Sequence, residues 1–374
     1  MDPDERQARM VLSGLSDFGP VSIRRLIDHC GSAQEALRCD PATLGDACSA
    51  KQQKALRHWR ERFDLAREEA FLEHHRARYI TAEEEDYPPR LRTLHDAPVG
   101  LYWQGPARCP DRAVAVVGTR RPGAYGRKIA REFSAELARL GFTIVSGLAA
   151  GIDAEAHAAA LDAGGTTVAL LGNGLDIAYP RENARLFERM RAEGAVASEF
   201  YFGRVADRQT FPQRNRIVSG MSQCILVVES GAKGGSLITA RFAAEQGRSV
   251  CAVPGRIDMP SFEGCHALIR DGATLVQSID QLLEEIHGHG RQLDLIADIQ
   301  QGRKPPDPGD RLPGGLTDEE AVVARHFLDG DCLHPDHIVD RADVPPHAVH
   351  AALLMLELKG VLAKRPDGTY ERAF

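Results

Sequence analysis

Short continuous apolar runs alternating with helical stretches through the middle of the chain, a helical pattern ahead of them and a three-helix pattern ending in a hairpin predict an α/β protein. Its centre is expected to be a doubly wound parallel sheet, with a small helical domain in front and a winged helix behind. The sheet rests on the runs "AVAVVG", "FTIVS", "TTVALLG", "AVASEF", "CILVVES" and "SVCAVPG", separated by helical stretches such as "GRKIAREFSAELARLG" and "SLITARFAAEQG". Strands that read as continuous apolar runs are buried on both faces, as parallel strands under helices must be. Five of the runs end in Gly or Ser, and ligands of open α/β sheets bind outside the carboxyl ends of the strands.

Taken in order, residues 1–79 read as short amphipathic helices. The stretch "LSDFGPVSIRRLIDHCGS" looks like a helix, a Gly-containing turn and a second helix carrying Val21, Ile23, Leu26 and Ile27. A helix-hairpin-helix that grips a DNA backbone and a plain small bundle both fit that pattern. The connector "ITAEEEDYPPRLRTLHDAPVGLYWQG" mixes Pro, acidic and aromatic residues and is read as extended chain. It leads into the sheet domain, residues 80–287. Residues 288–315 mix Gly, Pro and balanced charge with little periodicity, which predicts a linker. Residues 316–374 hold a helix at about 317–328, another at about 335–341, a Pro-Pro start to a third ending near Gly360, and "VLAKRPDGTYER" as a strand, an Asp-Gly turn and a strand.

Composition narrows the function. With 374 residues, 43% hydrophobic and 26% charged, the chain has an ordinary globular make-up and length for two or three domains. No apolar run approaches the roughly 20 residues that span a bilayer, and "MDPDERQARM" lacks the order of a signal peptide, so a cytoplasmic protein is expected. The eight cysteines form no C-x-x-C pair, which favours free thiols over a disulfide framework or a thiolate zinc site. The net charge of −7 hides a local basic excess. Residues 200–241 carry Arg204, Arg208, Arg214, Arg216, Lys233 and Arg241 against Asp207 and Glu229. Such a cluster marks where an anionic partner would be drawn.

The motifs fall around that cluster. "VAVVGTRRPGAYG" has the order of a strand, turn and helix of a nucleotide-binding fold but lacks G-x-G-x-x-G, so no tight dinucleotide turn is expected. It offers Thr119, Arg120 and Arg121 at a strand end, and Gly126 opening a helix whose free N–H groups can accept an anion. "GAKGGSLITA" lacks G-K-[ST] and is no P-loop, yet Lys233, Gly234, Gly235 and Ser236 at a helix start form a phosphate cradle, unless Ser236 is simply the cap. In "FPQRNRIVSG", Arg214 and Arg216 flank Asn215 after Phe211 and Pro212. Several separated anion sites on one sheet edge suit a polymer better than one mononucleotide. Phe211 could stack a base or back the loop as a core aromatic. "SGLAAGIDAEAH" offers Ser146, Asp153 and His157, but the last two stand four apart on a helix and Ser146 lacks the G-x-S-x-G elbow, so a pair or cap is expected rather than catalysis. The histidines of "HPDH", with His347 and His350, have no Cys partner, and no metal site is expected.

The ordered set "VGTRRPGAYG", "SGLAAGIDAEAH", "LGNGLDIAYPREN", "SEF", "FPQRNRIVSGMS", "ESGAKGGSLITARFAAEQGR" and "AVPG" closely resembles the DNA-processing protein A (DprA/Smf) family of bacteria, over about residues 80–285. The resemblance implies an extended Rossmann-like core that binds single-stranded DNA, forms a homodimer, and loads a RecA-type recombinase onto DNA taken up in natural transformation, with no cofactor and no catalytic residue. By matched position, the family's turn is Gly118, Thr119 and Arg120, its Arg-Asn-Arg element is Arg214, Asn215 and Arg216, and its Gly-Ser-x-x-Thr element is Gly235, Ser236 and Thr239. Ala150 departs from the family's usual arginine, and any anion contact made there is missing. The dimer is expected to use the sheet edge near residues 262–287.

The competing reading is an enzyme similar to the cytokinin-activating phosphoribohydrolases, which carry P-G-G-x-G-T-x-x-E. Here "GGSLITARFAAE" has Ala240 at the nearest comparable place and Glu245 too far along. A transcription regulator acting through the winged helix is disfavoured as well. Its third helix has a single Lys359, and six basic against eleven acidic residues give residues 316–374 a net charge of −5. A protein–protein role suits that module better.

Overall fold

The computed structural model describes residues 3–286, 288, 316–327, 333–339, 344–364 and 368–372, in two compact units, 1–290 and 291–374. Apart from Gly288, the expected linker lies outside the described residues. Among the described residues, no helix is long and apolar enough to cross a membrane.

The first unit begins with six helices: α1 (Glu5–Gly14), α2 (Pro20–Cys30), α3 (Ala33–Arg38), α4 (Ala50–Arg57), α5 (Trp59–Arg62) and α6 (Leu65–His74). Their boundaries follow from local chemistry. Asp4 and Gln7 close a capping box on α1, Pro20 sits in the first turn of α2, and Gly31 ends α2 at φ +87°, a conformation open to glycine. These helices do not stand apart from the sheet. Their apolar faces, through Leu12, Leu26, Leu56 and Trp59, share one core with Tyr79, Tyr102, Leu171, Phe187 and Phe202.

The sheet has nine strands: β1 (Arg78–Thr81), β2 (Gly100–Gln104), β3 (Ala113–Val117), β4 (Thr143–Ser146), β5 (Thr167–Leu171), β6 (Ala195–Ser198), β7 (Cys224–Val227), β8 (Ser249–Ala252) and β9 (Thr274–Leu275). They lie in the order β1-β2-β6-β5-β4-β3-β7-β8-β9. From β6 to β9 every pair is parallel, as expected. The connector read as extended chain is more than that. It supplies the end of β1 and all of β2; β1 pairs with β2 and β2 with β6, both antiparallel. A short helix, α7 (Pro89–Arg92), lies between them.

Five further helices cover the sheet: α8 (Ala124–Arg139), α9 (Ile152–Asp162), α10 (Ala184–Glu193), α11 (Thr210–Met221) and α12 (Ser236–Glu245). α13 (Glu263–Arg270) and α14 (279–286) complete the unit. Alternation along β3 divides the core. Ala113, Ala115 and Val117 face α11 and α12, with Ile217, Val218 and Ala243, whereas Val114 and Val116 face α8 and α9, with Phe133, Leu137, Ile152 and Ala156. The connections run one way from β3 to β4, β5 and β6 and the other way from β7 to β8 and β9. β3 and β7, neighbours in space, are therefore the switch point at which a crevice opens beyond the carboxyl ends.

The second unit holds α15 (Asp318–Arg325), α16 (Pro335–Val339) and α17 (Pro346–Leu358), followed by β10 (Leu362–Lys364) antiparallel to β11 (Tyr370–Arg372). This is a winged helix. The outer ends of the expected first and second helices, 328 and 340–341, lie outside the described residues.

Candidate functional site

At the switch point two cavities, of about 400 and 130 Å³, share Arg120, Gly147, Ala149, Phe211 and Arg214 as walls. The larger is completed by the turn after β3, the start of α11 and the start of α12. Gly118, Thr119, Asn215, Gly234, Gly235, Ser236 and Thr239, all expected at the site, line it. Arg121 and Lys233, also expected, are exposed and line neither cavity.

The turn after β3 is set by backbone bonds: Thr119 N–H donates to the Glu229 carbonyl at 2.7 Å and Ile152 N–H to the Thr119 carbonyl at 3.2 Å. A Cβ on Gly118 would lie 2.6 Å from Ile152 Cγ1, so only glycine lets β3 approach α9 this closely. Arg120 then projects into the crevice, exposed, its guanidinium 5.2 Å from the centroid of the Phe211 ring. Tyr179 meets the same ring at 5.9 Å. Phe211 is half-buried between them and belongs to the cavity wall.

Phe211, Pro212, Arg214, Asn215 and Arg216 all lie on α11, so "FPQ" is a helix start, with Pro212 in the first turn where it forfeits no hydrogen bond. Two positions along a helix is about 200° of rotation, and the two arginines point to opposite sides. Arg214, 5% exposed, reaches the crevice floor. Its Nη1 donates to the carbonyls of Gly147 and Leu170, and its Nε to Asn215 Oδ1 at 3.1 Å. Among the described residues Nη2 takes no acceptor. Burial lowers Arg214 to about 10, against the pull of Asp153, so it stays charged at neutral pH.

Arg216 corrects the expectation that both arginines face one ligand. Equally buried, it lines neither cavity. Its Nη2 donates to both Glu199 carboxylate oxygens, at 2.7 and 2.6 Å, and its Nε lies 3.4 Å from Asp96 Oδ2.

The turn after β4, residues 147–151, is held from two directions. The Asp153 carboxylate accepts from Gly147 N–H at 3.1 Å and Ala149 N–H at 3.4 Å, and Asn183 Nδ2 donates to the carbonyls of Leu148 and Ala149. Leu148 is held at φ +54°, a strained value for a branched side chain. A Cβ on Gly147 would run into the Arg214 guanidinium. Burial pushes the Asp153 carboxyl up, opposed by Arg214 and the two N–H groups. The three side chains weighed for catalysis are otherwise engaged. Ser146 Oγ donates to the Val116 carbonyl, and His157 shares a 2.6 Å bond with Thr167 Oγ1. Burial, with Arg214 adding to it, lowers His157 to about 3, so the ring is neutral.

Of the two helix starts read as anion sites, one is filled from within. α8 begins at Ala124, not Gly126, and the buried Glu229 carboxylate accepts from Gly123 N–H at 3.2 and 3.1 Å. A Cβ on Gly126 would strike that carboxylate. Glu229→Ala is expected to lower stability by about 1.5–3 kcal/mol, the worth of a hydrogen bond to a charged group, as thermal denaturation would record. At α12, by contrast, no side chain caps Gly235, and neither the Gly235 nor the Ser236 N–H finds an acceptor among the described residues. Ser236 Oγ donates to Ser230 Oγ at 2.9 Å, so the hydroxyl fixes the loop while the N–H groups stay free.

Sequence reasoning missed Asn183, Tyr179 and Glu229 as parts of the site, whereas Asp153, expected as a pair or cap, binds the N–H groups of the turn before its helix. Asp153 carried a signal, since an acidic residue in the first turn of a helix commonly binds nearby N–H groups. Ala150, the departure noted above, lines the smaller cavity.

A family model described as DNA recombination-mediator protein A matches residues 78–287, and one described as DprA winged helix domain matches residues 305–368. Among similar proteins, Protein Smf of Escherichia coli is 39% identical over 306 residues, covering 80% of this chain and 78% of that one. DNA processing protein DprA of Streptococcus pneumoniae is 42% identical over 202 residues, 53% of this chain and 71% of that one. The crystal structure of DprA from S. pneumoniae superposes with a TM-score of 0.65 at 32% identity, covering 76% of this chain and 99% of that chain. A structure of Helicobacter pylori DNA processing protein A, described for its single-stranded DNA binding mode, gives 0.51 at 28% identity, covering 57% and 97%.

Proposed function

The chain belongs to the DNA recombination-mediator protein A (DprA/Smf) family, and from that premise we propose that it binds single-stranded DNA along the carboxyl edge of its sheet and passes the strand to a RecA-type recombinase. The observation that carries the reading is the donor set in one crevice. Among the described residues Arg120 makes no hydrogen bond or ion pair, Arg214 is fixed with Nη2 unspent, and the Gly235 and Ser236 N–H groups lie across from them at the start of α12. Charged donors and backbone N–H groups at separate strand ends suit successive phosphates. The half-buried Phe211, with Tyr179 beside it, gives a base an aromatic surface. Among the described residues no element of the crevice offers a code of base-edge contacts, so binding is largely sequence-tolerant.

The enzyme reading loses support at the same place. Among the described residues the larger cavity is lined by a single carboxylate, Asp153, already committed to two backbone N–H groups, and Glu245 is paired outward with Arg241 at 2.8 Å. The further parts of the reading are a homodimer through the edge near residues 262–287, where Met259 and Leu275 are exposed, a cytoplasmic setting, and a role in natural transformation.

Binding of a fluorescent single strand and of its duplex, each at two salt concentrations, tests this reading. The single strand is expected to bind more tightly. Arg120→Ala is expected to flatten the slope of log affinity against log salt by about 0.7, one phosphate contact, with the fold intact. Equal affinity for duplex, or an unchanged slope in a variant that has lost affinity, would overturn it.

A further inference from the structure

We propose that the exposed face of α17 is a self-association surface, pairing antiparallel with α17 of a second copy about a two-fold axis between Leu354 and Met355. In winged helices that read DNA, the corresponding helix enters the major groove and carries the cations that meet phosphates. Here Pro346–Leu358 contains no Lys or Arg, and Lys359, just beyond it, bonds Glu320 Oε2 at 2.6 Å.

What this helix shows instead is apolar. Ala348, Val349, Ala352, Leu353 and Leu356 face the module's own core, while Leu354, Met355 and Leu358 are 56%, 43% and 73% exposed. His347, Ala351, Leu354 and Leu358 follow one another at intervals of four, three and four residues along the exposed side. Over Ala351, Leu354 and Leu358 that spacing of three and four residues matches one heptad of a two-stranded coiled-coil seam, with the polar His347 at its outer end.

The seam is complementary to itself. About the stated axis Ala351 faces Leu358 of the second copy and Leu354 faces Met355, so the small side chain meets the large one and the middle pair is matched in size. Three large apolar side chains per copy fall well short of the roughly 800 Å² per partner of a standard interface. The contact is thus weak alone and acts between copies already brought close. Each module has a net charge of −5, so the two repel at low salt, and screening strengthens the contact.

Sedimentation velocity of the full chain over a rising concentration series, at low and high salt, tests the pairing. An association step that grows with concentration and with salt is expected. Leu354→Glu, a change at an exposed position, weakens that step at least tenfold while circular dichroism stays as in the parent. Ala351→Leu crowds the seam and weakens it too, and adding Leu358→Ala to Ala351→Leu restores it by exchanging the small and large partners. No association in the parent chain, a step indifferent to Leu354→Glu, or a failure of the double exchange to recover it would each overturn the proposal.

Discussion

Arg214→Ala is expected to cost the first unit about 3–5 kcal/mol of stability and to weaken single-strand binding together. The guanidinium is the charge opposite Asp153 on the crevice floor and the donor to the carbonyls of Gly147 and Leu170. Without it a buried carboxylate loses its cationic neighbour and two carbonyls lose their donor. The binding loss is the separate effect of a missing charge-assisted contact, about 1.5–3 kcal/mol, with a salt slope flattened by about 0.7. Adding Asp153→Asn separates the two. The amide oxygen still accepts from the turn and no carboxylate is left unpaired, so part of the stability returns while the affinity does not. Recovery of both by the double variant would show that Arg214 is only a strut.

Arg216→Ala is expected to be the opposite case, a loss of about 3 kcal/mol in stability with the salt slope unchanged. Its partners are carboxylates of the protein, Glu199 and Asp96, and it lines neither cavity. The magnitude sits at the low end for a broken buried pair because Asp96 is a quarter exposed. The pH dependence carries a sign. Burial raises the Glu199 carboxyl in the folded protein, against the pull of Arg216. With the arginine gone, burial acts unopposed, and the penalty grows as pH rises above the ordinary carboxylate range toward the raised folded value. The deficit of the variant relative to its parent therefore shrinks as pH falls from 8 toward 5. Chemical denaturation at several pH values would measure it, and a deficit that widens toward pH 5 would rule out Glu199 as the group left behind.

These two arginines also mark how far the sequence could be read. The parallel strands were legible because "AVAVV" and its companions are continuous apolar runs broken only by an occasional Ser or Thr, which a strand covered on both faces requires. β1 and β2 were not. "RYIT" and "GLYWQ" are short and mix polar with aromatic residues, and the burial of their Tyr79–Tyr102 face comes from N-terminal helices distant in sequence. At the site, charge was visible and direction was not. "RNR" announces two cations, but only the knowledge that it lies on a helix turns them to opposite sides, toward Gly147 in one case and Glu199 in the other. Glu229 shows the same limit. Nothing near it in the sequence reveals that its carboxylate occupies the start of α8, a hundred residues earlier in the chain.

The guanidinium pressed against Gly147 ties together two positions that no local rule connects. Any side chain placed at 147 must evict Arg214 from its seat, and a shorter residue at 214 would vacate the space that a side chain at 147 needs. A library varying one position at a time would record both as intolerant. Pairwise randomisation would be expected to uncover folded combinations such as Gly147→Ala with a small residue at 214, chains that keep the sheet and lose the strand. The two sites thus form an epistatic pair, in which a side chain at 147 is open to the fold only when the residue at 214 has already become small.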